Sequence, residues 1–482
     1  MNKLFKKTQK DFVRYFISKL VYAFRSLLLL TLYSYLLIPE VYGRYSLIMG
    51  IVNILLAIFI GWITSSAKRY YDNYKDDLPS FFSNISFLWF FMNLLMGIII
   101  IFILNYSNIV TVHGQHRYIL LTMITISLVK IFENIIRAAR LSKFYLYLII
   151  VQSITQLGTF FILAKYFDGA LFSVFLSLII SNSIFILLVI RKINISKYKF
   201  SIPSRDFQKI FFNYGFPMVG IWGLDWLLNL SDRFIIKLYS SDQMVGIYDI
   251  NYKIAGNSIG IFASSIIMAI FPLMVKAWNE KSEENVSSLL SHGIFLYLII
   301  ALPSVFGLIA VRSLLYGSFL SEEYINGEMI IVFISIALFF SGLTQLLFNI
   351  WKVKGEPKFI FYTTSFVVVL NLILNFSFIP IYGYIFAAIS TFIAYFISFL
   401  IVVVLSKKHL SIVIDIKKAL KILMSSMFMF LVVTFFIQMT TFHKGITLLL
   451  SVVLGVIVYI TLLYFIGIVN EVSEWVSYLK NR

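Results

Sequence analysis

The chain has 482 residues, of which 60% are hydrophobic and 13% charged, with a mean hydropathy of +0.92. Globular chains carry about 25% charged residues, so a soluble enzyme and a disordered chain are both excluded. The net charge of +18 is spread between apolar runs instead of gathering in one patch, which points to anionic lipid headgroups and away from nucleic acid, and the lack of cysteine excludes disulfides, thiolate metal sites and cysteine nucleophiles.

A bilayer core about 30 Å thick takes about 20 apolar residues per helix, and the apolar content leaves room for about fourteen crossings. The runs predict spans over 16–38, 43–66, 81–104, 117–138, 144–165, 170–190, 211–236 and 244–275. They continue over 289–311, 328–350, 359–379, 384–405, 420–439 and 445–467. Helix is required because a span in lipid must satisfy its own backbone hydrogen bonds, and runs such as Ile98 to Leu104 show no period of two. The expected fold class is an all-α integral membrane protein.

With fourteen spans both termini share one side. Of the 40 Lys and Arg, 29 fall in segments on that side, and six (Arg44, Arg117, Lys165, Lys237, Arg312 and Lys444) fall in the opposite loops. The positive-inside rule therefore places both termini in the cytoplasm. No small-residue cleavage site follows the first run, so it is expected to be a retained anchor and not a signal peptide. Lys3, Lys7, Lys10 and Arg14 share one helical face, which suits either a short interfacial helix or a plain basic flank.

The loops are short. The longest basic connection, Arg191 to Lys209, follows six spans and reads as a linker between two six-helix lobes. The expected organisation is 1–200 for the first lobe, 201–410 for the second, and 411–482 for two extra helices and a tail. A faint repeat supports it. Val41-Tyr42-Gly43-Arg44-Tyr45 and Met244-Val245-Gly246-Ile247-Tyr248 both open a span, and Tyr166 to Ala170 and Ile381 to Ile385 both follow the fifth span of a lobe. Two parallel repeats with a cleft between them form a transporter architecture, whereas a channel would need a symmetric filter.

A charge at the bilayer centre costs about 2.5–3.5 kcal/mol on insertion scales, so ionisable residues within spans are informative. They are Lys19, Arg25, Lys130, Glu133, Asp225, Asp232, Arg233, Asp249 and Lys253. Glu133 with Arg137, and Asp249 with Lys253, are spaced i,i+4 and can neutralise one another. Asp232 and Arg233 lie near a span end and can anchor it. Arg25 has no acidic residue within a helical turn, so it needs either an Asp225 gate partner or a visiting anion. Trp222 and Trp226 flank Asp225 and suit either sugar stacking or ordinary packing. Gly256-x-x-x-Gly260 is a close-packing signal, and Pro217, Pro272 and Pro303 are candidate bends.

No phosphate-binding glycine loop, metal cluster or catalytic triad emerges, so no cofactor or metal is expected and transport is either passive or driven by an ion gradient. His113 and His116, three apart, lack a nearby carboxylate.

Tyr214-Gly215-Phe216-Pro217, then Ser231-Asp232-Arg233-Phe234-Ile235-Ile236, Val245-Gly246-Ile247-Tyr248 and Tyr252-Lys253-Ile254-Ala255 together resemble the polysaccharide-exporter branch of the multidrug/oligosaccharidyl-lipid/polysaccharide superfamily. Tyr42-Gly43-Arg44-Tyr45-Ser46 is similar to the family's start of span two. The resemblance implies a MATE-like fold and a Wzx-type flippase in the bacterial cytoplasmic membrane. Such proteins move undecaprenyl-pyrophosphate-linked glycans for capsule or O-antigen synthesis, with a polysaccharide polymerase as a possible partner. Arg25 and Lys19 would grip the pyrophosphate, as cations on the first span of related lipid II flippases do, with Arg233, Lys253, Trp222 and Trp226 lining the cleft. Asp225 and Asp249 would serve coupling or gating. A drug or cation antiporter of the same fold, centred on Asp225, and a non-transporting scaffold of a glycan assembly complex stay open.

Overall fold

The computed structural model describes residues 2–106, 114–167, 171–193, 202, 204–407 and 415–468; within its helices the side chains of residues 2–9, 12, 193, 221, 222 and 225 are not described. The described residues are almost entirely helical, with one isolated bridge between Tyr316 and Leu320. The chain divides into two compact units, Met1–Gly246 and Ile247–Arg482.

The first unit holds α1 (Asn2–Leu36), α2 (Pro39–Leu55), α3 (Gly61–Tyr70), α4 (Leu78–Tyr106), α5 (His116–Ala138), α6 (Ser142–Tyr166), α7 (Leu171–Ile193) and α8 (Arg205–Tyr239). Pro39 opens α2, where its missing N–H costs nothing. A π-turn over Leu56–Ile60 joins α2 to α3, so the second span is two helices in series. Ser204 caps α8 by accepting from the Phe207 N–H at 3.2 Å. Helix α1 is continuous over 35 residues. At 1.5 Å per residue that is about 52 Å, well beyond a bilayer core, so its basic first turns extend the first span and do not form a separate interfacial helix.

Within this unit α1 packs on α6, α6 on α7, and α5 on α7 and α3. Helix α8 packs on α3 and α2, so the seventh span belongs to the first compact unit. Two close approaches permit this. A Cβ on Gly215 would lie 2.4 Å from the Trp62 carbonyl oxygen, and Ser66 donates to the Phe211 carbonyl at 2.7 Å. The basic connection after α7 is only partly described: Lys197, Lys199 and Pro203 lie outside the described residues, as do His113 and Asp168 to Ala170.

The next helix, α9 (Asp242–Ile259), begins in the first unit and continues into the second. There follow α10 (Ile261–Asn279), α11 (Glu283–Val311), α12 (Glu328–Leu347), the short α13 (Asn349–Lys354), α14 (Pro357–Tyr382), α15 (Phe386–Ser406), α16 (Ile416–Met439) and α17 (Lys444–Phe465). Helix α11 is central, packing on α10, α12 and α16, while α12 packs on α15 and α16 on α17. Gly355 and Gly383, at φ 75° and 78°, end α13 and α14 in a region that favours glycine. Pro217, Pro272 and Pro303 all fall inside helices that run on through them.

Twelve stretches of the described residues are long and apolar enough to cross a membrane. One of them, Pro39–Tyr106, runs 68 residues and holds two apolar runs divided by the 3-10 segment Tyr71–Asp77. With that division, and with the 35-residue α8, the number of crossings is close to fourteen. This is a multi-pass membrane protein.

The close-packing signal in the eighth span does not hold. A Cβ on Gly256 would meet no atom within 4 Å, and Gly260 instead marks the break between α9 and α10. Four of the six basic residues predicted for the side opposite the termini are paired with carboxylates. Arg44 and Lys237 meet Asp242 at 3.2 and 2.8 Å, Arg312 meets Glu328 at 3.9 Å, and Lys444 meets Glu322 at 2.7 Å.

Candidate substrate site

Arg25 lies in the apolar middle of α1 and is 8% exposed. Its Nη1 donates to Gln152 Oε1 on α6 at 3.2 Å. Gln152 Nε2 donates to Asn182 Oδ1 on α7 at 2.9 Å, and Asn182 Nδ2 donates to Thr125 Oγ1 on α5 at 3.3 Å. Four helices thus contribute one polar chain that ends on a guanidinium. The Tyr22 ring, one turn earlier on α1, stacks against the Arg25 guanidinium at 4.5 Å.

The chain of amides explains how Arg25 is held in a buried setting. Each amide both donates and accepts, so the relay orients the Gln152 oxygen toward the cation. It does not neutralise the charge. Among the described residues Arg25 has no carboxylate in ion-pair contact. Glu133 acts on it electrostatically, but that carboxylate pairs with Arg137 at 3.5 Å and accepts from Tyr145 at 3.4 Å. A guanidinium has five N–H donors, and one of them meets Gln152. An anion with two oxygens on one phosphorus or carbon atom would match the remaining fork.

The other predicted site residues are placed as follows. Lys19 is exposed on α1, two turns before Arg25. Arg233 is 2% exposed, donates to the Asn229 carbonyl at 2.6 Å and lies 3.9 Å from Asp232. Asp249 is fully buried and meets Lys253 at 2.6 Å, as the i,i+4 spacing implies. Trp226 donates its indole N–H to the Gly50 carbonyl of α2 at 2.9 Å and packs against Phe234, which ties α8 to α2. The side chains of Asp225 and Trp222 lie outside the described residues, and with them the Arg25–Asp225 gate pair. The observed partner of Arg25 is Gln152.

Sequence reasoning missed Gln152, Asn182 and Thr125. Neutral polar residues in a span carry no charge signal, and here successive partners in the chain from Arg25 lie 127, 30 and 57 positions apart. It also missed a second closed network, in which Asn375 donates to Asn371 at 3.1 Å, Asn371 reaches Ser390 and Thr391 at 3.5 Å, and Ser390 donates to Asn375. A pattern could have found this one: Asn371 and Asn375 are spaced i,i+4 in an otherwise apolar helix.

A family model described as polysaccharide biosynthesis protein matches residues 9–278, more than half of the chain, and a MatE model matches residues 217–377. The chain belongs to the polysaccharide biosynthesis protein family. It thereby falls in the multidrug/oligosaccharidyl-lipid/polysaccharide superfamily, on the polysaccharide flippase side. A probable low-salt glycan biosynthesis flippase, Agl15, of Haloferax volcanii is 24% identical over 56% of this chain and 58% of its own length. A probable flippase, AglR, of the same organism is 25% identical over 35% of this chain and 37% of its own. These alignments span well under two thirds of the curated relatives. In structure, the lipid II flippase MurJ in an inward closed conformation matches with a TM-score of 0.71 at 19% identity, covering 95% of this chain and 98% of that one. An inward-facing MATE multidrug transporter matches at 0.59 and 16% identity, over 80% and 95%. At such identities the likeness establishes the fold. The family and its relatives point to a transporter and not a catalyst.

Proposed function

We propose that this protein moves a lipid-linked glycan across a membrane, with the diphosphate of the carrier engaging Arg25. The observation that carries the reading is a buried guanidinium in mid-span whose protein partner is a neutral amide. Such a site is incomplete without an anion, and a diphosphate supplies paired oxygens that match the arginine fork. The flippase names of the relatives and the family match support the same substrate class.

The finer reading is an undecaprenyl-pyrophosphate-linked oligosaccharide, loaded on the cytoplasmic leaflet of a bacterial inner membrane, with both termini in the cytoplasm. The product would feed a surface polysaccharide such as capsule or O-antigen, and a polymerase is the natural downstream partner. Lys19, one helical face away and exposed, would meet the anion on its way to Arg25. The lipid tail would stay in the bilayer while the headgroup crosses.

The test is the leaflet distribution of lipid-linked oligosaccharide in cells depleted of the protein. Accumulation on the cytoplasmic leaflet, rescued by wild type and not by an equally abundant Arg25→Ala variant, supports the reading. An unchanged distribution on depletion, or full rescue by Arg25→Ala, overturns it.

A further inference from the structure

Unit one carries a second cationic feature, separate from Arg25. A groove of about 1020 Å³ opens where the start of α1, the α5–α6 turn and the end of α7 meet. It gathers Lys10 and Arg14 of α1, Arg140 of the turn, Lys143 of α6 and Lys192 of α7, against the single carboxylate of Asp11. That carboxylate is already engaged: Arg14 lies 3.7 Å from it and Ser142 donates to it, while Arg14 also donates to Ser142 at 3.3 Å. Among the described residues Lys10, Arg140, Lys143 and Lys192 have no ion-pair partner. Like charges held in one groove repel within a Debye length of about 10 Å, so the arrangement favours an anion.

Two further features narrow the ligand. Arg140 sits at φ 53° and closes the α5–α6 turn, with the Leu141 N–H bonding back to the Ile136 carbonyl at 3.1 Å. Glycine or asparagine suits that conformation better, so the turn holds a cation at the groove against local backbone preference. The wall is not polar throughout. Leu141, Phe144 and Tyr147 line it, with Tyr147 50% exposed and its ring stacked near that of Phe144. Cations and aromatic rings lining one groove, at the ends of membrane helices, suit a molecule with an anionic head and a hydrocarbon body.

We propose that this groove binds the phosphate headgroup of a membrane lipid, with its hydrocarbon chain along Phe144 and Tyr147. The shared chemistry is a phosphate on a hydrocarbon chain, whether a resident anionic phospholipid or an isoprenoid diphosphate on its way to transport. The proposal does not rest on the role of Arg25.

The test uses the full chain in phosphatidylcholine nanodiscs, titrated separately with phosphatidylglycerol, farnesyl diphosphate and inorganic diphosphate. The expected result is that wild type binds at least one of the two lipids more tightly than inorganic diphosphate. Replacing Lys10, Arg140 and Lys143 together with Gln weakens that binding about tenfold or more. Preference for phosphatidylglycerol identifies a resident lipid, preference for farnesyl diphosphate identifies substrate capture, and both support the site. Lys143→Glu alone, at an exposed position, gives the same direction with an unaltered unfolding midpoint and so separates binding from folding. The proposal is overturned if neither lipid binds, if inorganic diphosphate binds as tightly as both lipids, or if the variants bind within about twofold of wild type.

Discussion

Gly43 and Gly246 pack backbone against backbone. A Cβ on Gly43 would lie 1.8 Å from the Asp242 carbonyl oxygen, and one on Gly246 would lie 2.0 Å from the Pro39 carbonyl oxygen. The two glycines occupy the same place in the two copies of the x-x-Gly-x-Tyr pattern, so the repeated motifs meet where α2 and α9 begin. The ion cluster of Arg44, Glu40, Lys237 and Asp242 surrounds this crossing.

No side chain fits at that crossing, because the obstructing atoms are main-chain carbonyls that cannot rotate away. Gly43→Ala and Gly246→Ala should each destabilise the protein by about 3 kcal/mol or more, well beyond the gain in helix propensity of about 1 kcal/mol. Gly256→Ala, into open space, should be neutral or slightly stabilising. Thermal unfolding of the three variants in detergent decides it, and equal midpoints for all three would refute the packing argument.

Trp226 offers a second test. Trp226→Phe keeps one aromatic ring but removes the N–H that meets the Gly50 carbonyl together with part of the ring that packs on Phe234. The expected cost is about 1–3 kcal/mol of stability, from one buried hydrogen bond and the lost packing volume, with transport retained. Loss of transport without loss of stability would move Trp226 from packing into the substrate site.

Asn251 of α9 ties the eighth span to the segment around Tyr316, which lies between the crossing stretches of the second unit. Its Nδ2 donates to the Ile247 and Tyr324 carbonyls at 2.8 and 3.1 Å, and its Oδ1 accepts from the Tyr316 hydroxyl. Burial pushes the Tyr316 phenol well above its ordinary range, with Glu328 and Tyr384 adding to the rise and Arg312 opposing it. An unfolded tyrosine titrates near about 10. The stability that comes from holding this phenol neutral is therefore whole below about pH 10 and is lost as the pH climbs toward the folded value. Wild type should lose more stability between pH 8 and pH 11 than Tyr316→Phe does. Equal losses would show that the phenol is not held neutral by the fold.

Much of this architecture is legible in the sequence, because lipid imposes one rule on every span: satisfy the backbone internally and present apolar side chains. Apolar runs therefore give the helices, and basic residues give the asymmetry of the loops. The pairings Glu133–Arg137 and Asp249–Lys253 follow from helical spacing alone. What the sequence withholds is tertiary. The Gly43 and Gly246 motifs are visible as a repeat, yet nothing in one dimension says that they touch. Gly256-x-x-x-Gly260 has the pattern of a packing face and is instead a helix break. Arg25 stands out by its charge, but its Gln152–Asn182–Thr125 relay is uncharged and drawn from three other helices, so spacing cannot reveal it.

That relay makes a specific demand on Gln152. Gln152→Leu removes the acceptor and leaves the buried guanidinium without its amide, at a cost of about 1–3 kcal/mol. Gln152→Glu places a carboxylate there and satisfies the cation permanently. If Arg25 must be open to an anion, Gln152→Glu should fold at least as well as Gln152→Leu and still transport worse than wild type. Transport at wild-type rate in Gln152→Glu would argue against an anion at Arg25.

The most direct test is translocation by the purified protein in liposomes that carry a fluorescent polyprenyl-diphosphate glycan, read as the fraction of headgroups that changes leaflet. The account predicts movement with wild type, a loss of at least about tenfold with Arg25→Ala at equal protein content, and partial retention with Arg25→Lys, which keeps the charge but not the fork. Movement by Arg25→Ala at the wild-type rate would contradict the assignment of Arg25, and absence of movement with wild type would contradict the transport of a lipid-linked glycan itself.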